Sequence, residues 1–207
     1  MSTSNKCALL VVLLALIVAS CANPLRTQEQ TVQSTAQTDN SKSEVEDYAI
    51  YSVLIRRFFT QDNVDSVVIL GKTALRTMEK DNLKGTLDYV RGETERGISD
   101  DLIQAFQQAN AKPKILEDHF NGTIKRVLIT EEQARDLTAD GWAKFLSQYP
   151  GRGIITFSAV GFDKDRRRAL VNASTQSGGK SGWSKYFLLE KENNEWVISD
   201  QVQVWAS

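Results

Sequence analysis

Residues 183–205 read WSKYFLLEKENNEWVISDQVQVW, two runs rich in aromatic and β-branched residues on either side of Asn193-Asn194. Runs of this kind bounded by turn residues mark paired strands, and asparagine tolerates the positive φ values of a two-residue hairpin turn. A turn at Asn193-Asn194 pairs Lys191 with Trp196, Leu189 with Ile198, Phe187 with Asp200, Lys185 with Val202 and Trp183 with Val204. One face then collects Trp183, Phe187, Leu189, Trp196, Ile198, Val202 and Val204, while the other carries Ser184, Glu190, Glu195, Ser199, Gln201 and Gln203. The first face is expected in the core and the second in solvent. Lys185 and Asp200 fall on the apolar face as diagonal neighbours. Buried charges are paired or functional, so this pair marks a polar spot where a small ligand could sit. A bulge near Ser199 would instead turn both charges outward.

Working outward, Gly153–Phe162 and Ala169–Gln176 supply two more candidate strands, which makes a four-stranded antiparallel meander. Upstream, Ser43 can cap a helix over Glu44–Thr60 whose residues Tyr48, Ser52, Ile55 and Phe59 recur every three to four positions. Ser99-Asp100-Asp101 opens a second helix with Leu102, Phe106 and Ala109 on one face. Glu131–Tyr149 reads as helix with a break near Gly141, stopped by Pro150-Gly151. Val64–Leu70 and Ile124–Thr130 read as strands, and the stretch holding Gly85, Gly92 and Gly97 shows no clear period. The fold class is therefore α+β, with N-terminal helices packed on a C-terminal four-stranded meander that can curve into a cone.

The start of the chain carries an address. Lys6 precedes the 13-residue apolar run Cys7–Ala19, and Ser20, Cys21 and Ala22 follow, in the layout of a signal peptide. A membrane-spanning helix needs about 20 apolar residues, and Asn23-Pro24 ends the run. Val18-Ala19-Ser20-Cys21 resembles the bacterial lipobox, and the resemblance implies diacylglycerol on Cys21, which becomes the first mature residue. Ser20-Cys21-Ala22 also fits an ordinary signal-peptidase site that cuts after Ala22. Each buried methylene of an anchor contributes about 0.8 kcal/mol, so several chains hold where one does not. Ala22 resembles a sorting position that permits transfer to an outer membrane. Asn23–Asp47 is polar, charged and free of aromatics, a composition that cannot offset its ordering entropy. It is expected to be a flexible spacer reaching roughly 25 to 30 Å from the membrane. The organisation is then residues 1–20 as lipoprotein signal peptide, 21–42 as lipid-anchored spacer and 43–207 as one globular domain. The chain is expected to be exported and membrane-anchored, facing the periplasm or the cell exterior.

Composition excludes several classes of function. Cys7 and Cys21 are the only cysteines, so the domain has neither a disulfide nor a thiolate metal site. Losing Lys6 leaves 24 Lys and Arg against 26 Asp and Glu, a balance without the basic surface nucleic acid requires. His119 is the single histidine, too few for a typical zinc site, and no Gly-x-Ser-x-Gly nucleophile elbow exists. Gly179-Lys180-Ser181 imitates the end of a phosphate loop, but Ser174 stands where its first glycine belongs and a strand follows. The glycines instead allow a wide turn that could present Ser177, Lys180 and Ser181, with Trp183 beside them, to a partner. Arg166-Arg167-Arg168 is a charged turn, either solvated or set against anionic headgroups. No cofactor or metal is called for.

Helices followed by an antiparallel meander resemble the nuclear-transport-factor-2-like superfamily, which implies a pocket between curved sheet and helices; Val64–Leu70 and Ile124–Thr130 lie outside that plan. A closer resemblance covers roughly Glu46–Ser207. Tyr48–Phe59, Gly141-Trp142, Tyr149-Pro150, Ile155-Thr156-Phe157-Ser158, Gly161-Phe162, Gln176–Gly182 and Val204–Ser207 together are similar to a group of small bacterial proteins without assigned activity. In that group cysteines stand at the positions of Ser177 and Ser181, so a redox or metal role does not carry over.

Two functional readings follow. One is a non-catalytic envelope module, held to the membrane by its lipid, that binds an envelope protein, a cell-wall fragment or another small ligand. The other is a small pocket enzyme using Asp200, Lys185 or His119 in acid–base chemistry. Convergence of those three side chains in one cavity separates the two.

Overall fold

The computed structural model describes residues 44–60 and 64–207. The expected signal peptide, Cys21, the capping Ser43 and most of the expected spacer lie outside the described residues, whereas residues 44–47 of that polar stretch are helical instead of flexible spacer. Helix α1 covers residues 44–54 and runs on as a π-helical turn, Ile55–Phe59. There follow β1 (Ser66–Leu70), α2 (Thr77–Asp81), α3 (Leu83–Glu93), α4 (Asp100–Ala109), β2 (Lys125–Ile129), α5 (Glu131–Thr138) and α6 (Ala143–Gln148). The strands β3 (Ile154–Phe157), β4 (Gly161–Phe162), β5 (Arg168–Gly178), β6 (Ser181–Glu192) and β7 (Glu195–Ala206) complete the chain.

The fold is α+β, but the sheet is seven-stranded and mixed instead of a four-stranded meander. Its order is β2-β1-β3-β5-β6-β7, with β4 also paired to β5. β1 runs parallel to both β2 and β3, whereas β5, β6 and β7 are antiparallel neighbours. The unbroken apolar run Val67–Leu70 is buried along its length, as expected of a parallel strand covered on both faces. The first meander strand is split into β3 and β4 around Ser158, whose Oγ accepts from Asn172 N at 2.8 Å in place of a ladder carbonyl. Gly161 follows this break because α4 lies directly on it: an added Cβ would stand 2.4 Å from Phe106 Cα.

The hairpin turn forms at Asn193-Asn194, with φ of 48° and 70°. Leu189 pairs with Ile198 and Lys191 with Trp196. Beyond Ile198 the expected register fails. Ser199 is an extra residue, so Leu188 pairs with Asp200, Tyr186 with Val202, Phe187 with Gln201 and Lys185 with Gln203. A second shift between Lys185 and Ser184 puts Trp205 opposite Ser184 and Ala206 opposite Trp183. The pairs Phe187–Asp200, Lys185–Val202 and Trp183–Val204 therefore do not form. One inserted residue exchanges the faces of everything after it, because side chains alternate with a period of two.

The exchange has a driving force. Trp196 and Ile198 pack on the α1 side of the sheet with Tyr51, Leu54, Phe157, Phe187 and Leu189. Val202 and Val204 pack on the other side, with Leu170, Tyr186 and Leu188 beneath α3 and α4. Both faces are thus buried, and neither is the solvent face that the strict alternation implied. Farther along the second face, α5 and α6 cover the parallel strands with Leu137 and Phe145 against Val68 and Ile129. α3 occupies the glycine-containing stretch that showed no period, and its buried Leu87 and Val90 hold it to the sheet.

Register and burial together make Ser199 the residue that keeps Val202 and Val204 beneath α3 and α4. Ser199 Oγ donates to Leu188 O at 3.2 Å, so Ser199→Ala is expected to cost about 1 kcal/mol. Deleting Ser199 is expected to abolish the cooperative urea transition, since it takes two valines from beneath α3 and α4 and puts two glutamines there. A deletion variant that unfolds like the parent would contradict the register.

Candidate functional site

The three candidate acid–base residues occupy three different places. Lys185 lies on the α1 side, its Nζ 5.5 Å from the Trp183 ring centroid and 5.7 Å from that of Phe58. Asp200 lies on the opposite side, where Oδ2 accepts from Glu95 N at 2.9 Å and so ties down the loop between α3 and α4. The bulge at Ser199 separates them; in the expected register they were neighbours. His119 is exposed on the loop after α4, packed against Tyr48 at 5.2 Å, with Nε2 3.4 Å from Glu117 Oε2. No single cavity holds the three.

The glycine turn is tighter than expected, because β5 continues to Gly178 and β6 begins at Ser181, leaving Gly179-Lys180 between them. Ser177 and Ser181 face each other with their hydroxyls 3.0 Å apart, and Lys180 is exposed. Trp183 is a packing residue, stacked on Phe59 at 5.2 Å and 18°. The arginine turn is largely consumed within the domain. Arg166 and Lys191 both pair with Glu46 at 2.6 Å, and Arg168 donates to Gly97 O at 2.7 Å. These pairs hold Glu46 below its usual pKa, against the burial that pushes it up.

A different set of residues converges on the second face. The registers place Thr156, Ser174, Ser184 and Trp205 abreast on β3, β5, β6 and β7. This polar row interrupts the apolar strands in the gap between the cluster under α3–α4 and the cluster under α5–α6. Asn172 donates from Nδ2 to Ser184 Oγ at 2.9 Å, but its Oδ1 is buried without a partner. Glu79, brought in by α2, is 6% exposed, and its carboxylate has only the nearby Ser184 hydroxyl to receive from, outside ideal hydrogen-bond geometry. Burial raises its pKa; the nearby Ser184 hydroxyl and the Arg76 charge oppose the rise without cancelling it. The Tyr186 hydroxyl is also buried without a partner, and burial together with Glu79 drives its phenol well above the usual range. Each unsatisfied buried polar group costs roughly 1–3 kcal/mol. These groups do not line the neighbouring opening, which takes in Thr156, Ser174 and Trp205 of the row.

The opening is a cleft of about 330 Å³ between α2 and the α5–α6 pair. Thr156, Ser174 and Gln176 form its floor, Trp142 and Arg135 one wall, and Arg76 and Trp205 the other. The Arg76 guanidinium lies 3.5 Å above the Trp205 ring. Below that ring is Gly182, where an added Cβ would come within 2.9 Å of the indole and 2.4 Å of Thr175 O. Gly182 therefore fixes the height of the indole, and the indole fixes Arg76. A larger groove of about 780 Å³ follows α1 past Ser52 and Trp196, but Ser52 Oγ is already engaged by Tyr48 O and Asn121 N. Trp196, which lines that groove, also has its Nε1 buried without a partner.

The strict alternation hid this site by assigning Ser184 to solvent, and the irregular glycine stretch hid the helices that cover it. Serine and asparagine within the apolar runs of β5 and β6 were the available signal. No protein-family model, curated protein or solved structure matches the chain.

The cleft predicts a distinctive pH dependence. Glu79 has a raised pKa in the folded state, so its contribution to stability is present at low pH and lost as pH rises through that value. Asp47, buried on α1 with Lys114 Nζ 3.3 Å away, is pushed up to about 6 from 3.8 and acts in the same direction. Stability is therefore expected to fall between about pH 4 and pH 7. Glu79→Gln should make that decline shallower and raise the melting temperature at pH 7; an unchanged slope with a lowered Tm would show that the carboxylate is satisfied.

Proposed function

We propose that this chain is an exported, lipid-anchored protein of the bacterial envelope whose domain binds a small polar ligand in the cleft beside α2. The observation that carries the binding reading is the cleft itself, with Thr156, Ser174 and Gln176 on its floor and Arg76 and Arg135 on its walls. A ligand that hydrogen-bonds to these side chains and is held by the two cations stabilises the folded domain. The anchor reading rests on Val18-Ala19-Ser20-Cys21 and the polar stretch after it. A tether suits a module that must stay at the cell surface while it holds something soluble or wall-derived. The likeness to the small bacterial proteins is supported by Ser177 and Ser181, whose facing side chains stand where a cysteine pair would be within reach of each other. An acid–base enzyme built on Lys185, Asp200 and His119 would need a shared cavity, and their separation favours binding over catalysis.

Two measurements test the reading. Intact mass of the mature chain taken from membranes is expected to begin at Cys21 and carry diacylglycerol, and a free N-terminus at Asn23 would overturn the anchor. In NMR titrations of the full mature chain in micelles, solubilised cell-wall fragments are expected to shift the indole N–H signals of Trp142 and Trp205. Ser174→Val should abolish those shifts, and shifts confined to Trp183 and Trp196 would place binding elsewhere.

A further inference from the structure

We infer that the cleft selects a hydroxylated carboxylate such as a sugar acid, with Arg76 and Arg135 receiving the carboxylate and Thr156, Ser174 and Gln176 the hydroxyls. The inference rests on the binding reading above and adds the ligand's charge and chemical class.

The charges around the cleft carry it. Glu131 is the only carboxylate in its lining, and Lys72 Nζ already neutralises it at 2.7 Å. Neither Arg76 nor Arg135 has a hydrogen bond or ion pair to a carboxylate among the described residues. Glu79 is buried on α2 and forms no ion pair with Arg76. The cleft therefore presents two cations, one from each wall. Arg76 is also held in advance. Its planar group rests 3.5 Å above Trp205, which in turn rests on Gly182, so little freedom is lost when its edge donors meet an anion. Two guanidiniums match a carboxylate through charge-assisted hydrogen bonds. The floor offers hydroxyls and an amide, which suit a ligand with several hydroxyls. Trp142 provides apolar wall for the ring carbons. A volume of about 330 Å³ lies near the lower end of the range for small-ligand sites, which fits one sugar ring better than an oligosaccharide.

N-acetylmuramate and N-acetylglucosamine share a sugar ring and differ in the lactyl carboxylate, so they separate charge recognition from sugar recognition. Calorimetric titration of the full mature chain in micelles is expected to show N-acetylmuramate binding at least about tenfold more tightly. Arg135→Gln, at an exposed position that does not threaten the fold, should reduce that preference to about threefold or less and leave N-acetylglucosamine unaffected. Raising salt from about 50 to about 500 mM should weaken the acid alone. Equal affinity for the two sugars, or a cleft that responds to wall fragments but not to saturating N-acetylmuramate, would overturn the inference and leave the binding reading standing. Acid binding unchanged in both Arg135→Gln and Arg76→Gln would also overturn it.

Discussion

An antiparallel strand pair can turn its apolar side chains from one face of a sheet to the other only by inserting a residue, and β7 does so at Ser199. Before that position Trp196 and Ile198 lie with α1; after it Val202 and Val204 lie with α3 and α4. The insertion lets one strand serve two hydrophobic clusters. Without it, one of the two helical layers would have no apolar partner on β7, and the sheet could not be a central layer. The remaining architecture follows from this arrangement, including the parallel strands β1 and β2, which need helical cover on both faces.

The same change of face creates the cleft. Two apolar clusters share the second face but do not meet, and the gap is floored by Thr156, Ser174 and Gln176. α2 leans across part of the gap, inserting Glu79 and suspending Arg76 above Trp205. Glu79, Asn172 and Tyr186 leave hydrogen-bonding capacity incompletely used, as do Asp47 and Trp196 on the α1 side, whereas other buried polar groups are matched. Tyr51 donates to Ser158 O at 2.8 Å, and Asn110 exchanges two bonds with Ala159.

Much of the fold was legible in the sequence. Val64–Leu70 and Ile124–Thr130 formed strands, the helix opened by Ser99-Asp100-Asp101 formed as α4, and the Asn193-Asn194 turn formed with its first pairs in register. The parallel pairing was not legible, because it depends on which strand edges meet after the intervening helices have packed. Nor was the bulge fixed by pattern, since Ser199-Asp200-Gln201 reads equally well as an outward-facing polar stretch or as an inserted residue. That ambiguity decided the site. A strict alternation brought Lys185 and Asp200 together and sent Ser184 to solvent, whereas the bulge separates the charges and leaves Ser184 buried between Asn172 and Glu79. α3 was hidden by Gly85 and Gly92, which weaken helical propensity while tertiary packing of Leu87 and Val90 maintains the helix.

Cross-strand nuclear Overhauser effects along β6 and β7 test the account most directly. Backbone contacts between Tyr186 and Val202, with Val202 methyls close to Leu188 and the α4 residue Phe106, are the result it predicts. Backbone contacts between Lys185 and Val202, with Val202 methyls near Phe187 and the α1 side chains, would contradict it and remove the cleft along with the bulge.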